Sequence, residues 1–128
     1  MRTAIGTAAV AMLLAFPVQL ALAAGGNAMF PTELHGVWDM HPWPCRADEA
    51  SDSDMRFLIE GGSRRNYEDT DTLLAVQQLA TDPRTWRVVA TSSLDPSDTD
   101  GEAQIYVLAG DTLAVTDGKR AEVYVRCR

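Results

Sequence analysis

Residues 103–127 read Ala-Gln-Ile-Tyr-Val-Leu-Ala-Gly-Asp-Thr-Leu-Ala-Val-Thr-Asp-Gly-Lys-Arg-Ala-Glu-Val-Tyr-Val-Arg-Cys. Three runs rich in β-branched and aromatic residues are separated here by Gly110-Asp111 and by Asp117-Gly118. Glycine and aspartate at such points supply the tight turns that join antiparallel strands, so the stretch predicts three strands over 103–109, 112–116 and 120–127. In the last of them Ala121, Val123, Val125 and Cys127 alternate with Glu122, Tyr124 and Arg126, and the first set is expected to face the core.

The same punctuation continues upstream. Phe57 and Ile59 alternate with Arg56 and Leu58 over 55–60, Gly61-Gly62 follows as a turn, and 63–68 returns as the second half of a hairpin. Trp86, Val88 and Ala90 share one face of a strand over 85–92. Residues 72–81 suit a helix of about two turns as well as a strand. They end at Asp82-Pro83 and have β partners on both sides, which favours the strand. Leu34 to Met40 reads as the first strand, and 94–101 as an Asp/Ser/Pro loop.

Seven or eight strands joined mostly by short turns make an all-β antiparallel meander. Such a sheet hides its edges best by closing into a small barrel or a rolled sandwich.

The amino end sets the compartment. Arg2 is followed by no charge until Glu33, with the apolar run Ala8 to Phe16 inside that interval. Ala21-Leu22-Ala23 then places small residues where a signal peptidase reads them, so 1–23 is expected to be a removable signal peptide. The apolar run is too short, and too interrupted by Pro17 and Gln19, for a membrane anchor. Residues 24–33 are expected to form a flexible leader and 34–128 a single domain.

Of 11 basic and 18 acidic side chains, cleavage removes Arg2 alone, leaving 10 against 18 and a charge of −8. Nucleic acid and anionic lipid both draw affinity from clustered Lys and Arg, so neither is expected as a partner. Cys45 and Cys127 are the only two cysteines, and in an exported chain they are expected to pair. The bridge closes a loop of about 80 residues, an effect of about 4 kcal/mol on the chain-entropy model.

Gly36-Val37-Trp38 on the first strand and Arg126 on the last resemble the signature of lipocalin-type and related small barrels. That resemblance implies that the arginine packs over the tryptophan to close the barrel base. The wider pattern Pro31-x-x-Leu34-x-Gly36-x-Trp38, then Cys45, Tyr67-Glu68 and Arg126-Cys127, is similar to small uncharacterised secreted proteins of Gram-negative bacteria. In size and in its Gly-x-Trp start the chain also resembles compact periplasmic barrels that inhibit metalloproteases or lysozymes. It departs from the metalloprotease inhibitors in the placement of its disulfide.

No catalytic constellation stands out. His35 and His41 are the only histidines, have no Ser or Cys nucleophile pattern beside them, and lack the three or four ligands that zinc requires. Asp98-Thr99-Asp100-Gly101 resembles part of an EF-hand loop but fails in register, since Val107 stands where the bidentate Glu belongs. Asp48, Glu49, Asp52 and Asp54, like Asp95, Asp98, Asp100 and Glu102, read as solvated loop acids. Glu68, after Tyr67, reads as a hairpin-end acid. No metal or cofactor is expected.

The expectation is therefore a periplasmic or secreted non-enzymatic binding module whose partner is a small apolar ligand or a periplasmic protein. The alternative is an inhibitor of a hydrolase such as lysozyme or a protease. It would act through the Pro-rich acidic loop 41–54, with His41, Trp43, Asp48, Glu49 and Asp52 as contact residues. An acidic loop is steered toward a cationic enzyme.

Overall fold

A computed structural model describes residues 27–40 and 45–128. The signal segment, the first residues of the leader, and His41 and Trp43 lie outside the described residues. A single 3-10 turn, Thr32–Leu34, precedes eight strands: β1 Gly36–Asp39, β2 Phe57–Glu60, β3 Ser63–Arg65, β4 Thr70–Thr81, β5 Arg84–Ser92, β6 Glu102–Ala109, β7 Thr112–Thr116 and β8 Ala121–Arg126. Each strand pairs antiparallel with the next, and β1 pairs with β8, so the sheet is a closed barrel. Residues 70–81 are strand throughout, and no α-helix occurs among the described residues.

Turn chemistry explains the register. Glu60 pairs with Ser63 across Gly61-Gly62, and Ala109 pairs with Thr112 across Gly110-Asp111, both two-residue connections. The β7–β8 connection is longer than Asp-Gly alone, because pairing stops at Thr116 and Ala121. Asp117 Oδ1 accepts the backbone N–H groups of Lys119 and Arg120 there, 2.8 Å each, and holds a four-residue turn.

The interior is filled by large side chains. Trp38, Phe57, Ile59, Leu73, Trp86, Val88, Tyr106, Leu113, Val115 and Tyr124 are all buried. Phe57 meets Tyr124 edge-on with ring centroids 4.7 Å apart.

Two expectations need correction. In β8 Tyr124 is buried while Val123 is 53% exposed, so the inward set is the one containing Glu122 and Tyr124, opposite to the expected face. Alternation defines two faces of a strand, and here the aromatic ring takes the inside because its hydroxyl finds a carboxylate there, as described below. The leader is also not loose through residue 33. Phe30 is buried against Tyr106, its N–H donates to Gly61 O at 2.8 Å, and Thr32–Leu34 winds a turn that buries Leu34 completely. The first strand accordingly begins at Gly36 rather than Leu34.

β4 differs from its neighbours. It has 12 residues, β3 only 3, and the two pair only at Thr70, Asp71 and Thr72. On its other side β4 pairs with β5 as far as Thr81, with register shifts between Leu73 and Ala75 and between Gln78 and Ala80.

Candidate functional site

Three regions carry the chemistry. The first is the closed base. β1 and β8 bring Trp38 opposite Arg126, and the guanidinium lies 4.2 Å from the indole centre. Arg126 also donates to the carbonyls of His35 (2.6 Å) and Glu33 (2.7 Å) and pairs with Asp111 at 3.4 Å. Trp38 donates its indole N–H to Leu34 O at 2.9 Å, so the turn, the first strand and the last strand lock around one ring. Gly36 has φ +125, and a Cβ there would lie 3.2 Å from Arg126 Nη1, so glycine serves both the backbone and the arginine. Arg128 adds a second pairing to Asp111 and holds that carboxyl below its ordinary range.

The second region is the loop after β1, of which residues 45–54 are described. Cys45 is bonded to Cys127 with Cα atoms 4.7 Å apart. The bridge is consistent with an oxidising compartment. Beside it the backbones interlock, Arg128 N–H donating to Cys45 O (3.1 Å) and Ala47 N–H to Arg128 O (3.0 Å). The far end of the loop is tied by Asp39, 1% exposed. Its carboxylate takes Arg56 Nε at 3.0 Å and Ser53 Oγ at 2.7 Å. Arg56 reaches on to the carbonyls of Glu49 (2.9 Å) and Arg46 (3.2 Å). A buried carboxylate that accepts from an arginine on one oxygen and from a serine on the other braces the loop against the barrel.

Asp48 and Glu49 therefore sit on a held backbone with side chains 70% and 65% exposed, each paired with Arg46. Asp48 and Glu49 share Arg46 as their partner, while Asp52 lies exposed further along the same loop. Asp39, Ser53 and Arg56 are the supports that the sequence reading missed; their signal was a lone acid ending one strand and a lone arginine opening the next.

The third region is the opposite mouth of the barrel. Arg64, from β3, turns inward over Phe57 at 3.9 Å and donates to Tyr106 Oη and Asn66 Oδ1, both 2.9 Å. Asn66 in turn donates to Asp71 at 3.0 Å. Burial works against the charge of Arg64, but Tyr106, Tyr124 and Asp71 outweigh it and hold its pKa above the ordinary value. Burial also raises Asp71, against the pull of Asn66 and Arg64. Tyr124 is pushed up to about 12, first by burial and then by the hydrogen bond it donates to Glu122 at 2.5 Å.

Above Arg64 lies a recess of about 90 Å³, walled by Gln104, Val115, Asp117, Arg120 and Glu122. A neighbouring recess of about 220 Å³ is lined by Asp71, Asp95, Asp98 and Glu102 among others. Both are polar and fall short of the roughly 300–1,000 Å³ of small-molecule pockets. The acids at 95–101 serve their own turn: Asp98 Oδ1 accepts the N–H groups of Asp100 and Gly101, and Asp95 accepts from the Ser97 hydroxyl, which lowers its pKa. His35 is spent on Phe30 O at 3.0 Å. Among the described residues no group of three or more His, Cys, Asp or Glu side chains is arranged to hold a metal ion.

Comparison with protein-family models, with curated proteins and with solved structures finds no match to this chain, so the geometry alone carries the functional argument.

Proposed function

We propose that this barrel is a periplasmic or secreted, non-enzymatic binding module that engages a basic protein partner through the acidic loop 41–54. The observation that carries the reading is the combination of a filled interior with a braced, exposed loop. Aromatic rings and Arg64 occupy the space a small apolar ligand would need, and the recesses at the mouth are small and polar. Residues 45–54 of the loop, in contrast, are pinned by Cys45 at one end and by Asp39 with Arg56 at the other. Little ordering entropy remains to be lost on binding, the condition that favours tight association through a short loop.

Asp48, Glu49 and Asp52 present carboxylates to solvent, and a chain of net charge −7 is steered toward cationic surfaces. Hydrolases with basic clefts, such as lysozymes, are the class of partner that this charge suits. The lipocalin-like base described by Gly36, Trp38 and Arg126 acts as scaffold.

The test is a titration of a cationic lysozyme, and of a cationic serine protease, with the full-length exported protein at low ionic strength. Inhibition of either enzyme, lost in the doubly reversed D48K/E49K variant and weakened by salt, is the expected result. Full hydrolase activity at saturating protein, together with tight uptake of an apolar fluorophore, would transfer the function to the barrel interior instead.

A further inference from the structure

Among the large apolar side chains described, Leu94 at 69% and Tyr67 at 67% are the most exposed, and both line the same recess of about 270 Å³. Asp54, Asn66, Glu68 and Asp69 complete its wall, which contains no cation. Arg56, Arg64 and Arg65 flank these residues in sequence but are committed elsewhere, to Asp39, to Tyr106 with Asn66, and to Glu60. Among the described residues no ion pair engages Asp54, Glu68 or Asp69, whereas Asp48 and Glu49 share Arg46.

The recess is held open by its own backbone. Thr70 N–H donates to Ser93 Oγ at 2.9 Å, and Ser93 N–H to Thr70 O at 3.0 Å, so the turn between β3 and β4 is knitted to the loop after β5. Ser92 donates its hydroxyl to Asp69 at 2.7 Å and accepts Leu94 N–H at 3.2 Å. Asn66 N–H closes the turn on Asp69 O at 2.8 Å. Tyr67 and Leu94 are thus carried on segments fixed to each other, and Asp54 brings the end of loop 41–54 to the same wall.

Charge and shape together choose the occupant. Carboxylates alone would suit any cation, but a metal ion gains nothing from Tyr67 and Leu94, and among the described residues no three acids are gathered to hold one. A lysine ammonium is compact and strongly hydrated. A guanidinium is planar and weakly hydrated, stacks on aromatic rings and takes carboxylates through a fork of N–H donors.

We propose that this recess is the socket for one arginine side chain of the basic protein partner, its guanidinium stacked on Tyr67 and paired with Glu68 and Asp54, its methylene stem against Leu94. The inference rests on the reading of this protein as a binder of a basic partner, and names the side chain that it grips. Interfaces concentrate their energy in a few anchors of this kind, in which an arginine or an aromatic ring fills a preformed site.

Amide NMR of the exported protein, titrated with N-acetyl-arginine methylamide and in parallel with its citrulline and lysine counterparts, tests the socket without the partner. The arginine amide is expected to move the resonances of residues 67–69 and 94 first, and to bind more tightly than either counterpart. Y67A is expected to weaken it by about two- to fivefold, and added salt to weaken it further. In the lysozyme and protease titrations, Y67A/E68Q, verified as folded by its amide spectrum, is expected to raise the inhibition constant by about tenfold or more.

An equal response to the citrulline or lysine amide overturns the socket, as do arginine shifts confined to residues outside 54, 66–69 and 94. So does an inhibition that D48K/E49K abolishes and Y67A/E68Q leaves unchanged, and that result keeps the loop reading standing. Arginine-specific shifts at 67–69 in a protein that inhibits neither enzyme uphold the socket and sink the choice of hydrolase.

Discussion

The two ends of the barrel use the same device for different ends. Each sets an arginine over an aromatic ring, Arg126 over Trp38 at 4.2 Å and Arg64 over Phe57 at 3.9 Å. At the base the guanidinium donates to the backbone carbonyls of Glu33 and His35. At the mouth it donates to side chains, Tyr106 and Asn66, with Asp71 just beyond at 4.0 Å. Carbonyls cannot take up a proton or rotate away, so losing Arg126 leaves the part-buried His35 carbonyl without its donor. Side chains can rotate, and Asp71, already raised in pKa, can become neutral. The base is thus built to hold and the mouth to adjust.

The largest effect expected from this contrast is at the disulfide, which stitches the loop to the base. The C45A/C127A pair is expected to lose about 4 kcal/mol of unfolding free energy in urea titration, because a loop of 82 residues is freed. A loss below about 1 kcal/mol would mean that the base does not concentrate stability. Next comes R126L, at about 2–3 kcal/mol from the lost ring contact and the unpaired His35 carbonyl. R64M is expected to cost less, about 1–2 kcal/mol at neutral pH.

The two arginine variants also differ in pH dependence. Without Arg64 the folded-state pKa of Asp71 rises further above its unfolded value, so the folded state holds the proton more tightly. The R64M deficit is then greatest above the carboxylate range and shrinks as pH falls through it. The R126L deficit has the same sign through Asp111, whose depressed pKa Arg126 helps to hold, but a weaker dependence, because Asp111 is exposed and keeps Arg128. Equal deficits with equal pH profiles would erase the distinction between the ends.

This distinction also explains what could be read from the sequence. Gly61-Gly62 and Gly110-Asp111 declare their hairpins because the turn chemistry is local, and two cysteines leave one pairing. Gly36, Trp38 and Arg126 stood out through a pattern, and the structure sets them in contact.

The mouth was illegible for a physical reason. Ser63-Arg64-Arg65-Asn66 reads as the polar start of a returning strand, and nothing local tells which arginine goes inside. Val123 and Tyr124 are both good strand residues, so alternation could not say which faces the core until Glu122 and Arg64 were seen to satisfy the hydroxyl environment. Phe30 is a single aromatic without a period, hence its misplacement in a loose leader. Asp39 and Arg56 lie 17 residues apart and meet because β1 and β2 pair antiparallel with Trp38 opposite Phe57, a register that the sequence does not announce.

The smallest effect and the finest test lie at Tyr124. Its phenol is raised to about 12 in the folded protein, against about 10 when unfolded. A folded-state pKa above the unfolded one means that the folded state keeps a proton the unfolded state has given up. Stability is therefore complete below about pH 10 and declines as pH climbs from there toward about 12. Y124F removes the group that titrates, at a cost of about 1 kcal/mol at neutral pH for the lost hydrogen bond to Glu122. Its urea midpoint is expected to fall less steeply than that of the wild type over the alkaline window. Tyr106, also raised by burial, contributes a second decline that Y124F leaves in place, so the variant flattens the profile without levelling it. An unchanged alkaline slope in Y124F would mean that the proton at the mouth is not held by Tyr124, and that this end is as rigid in its chemistry as the base.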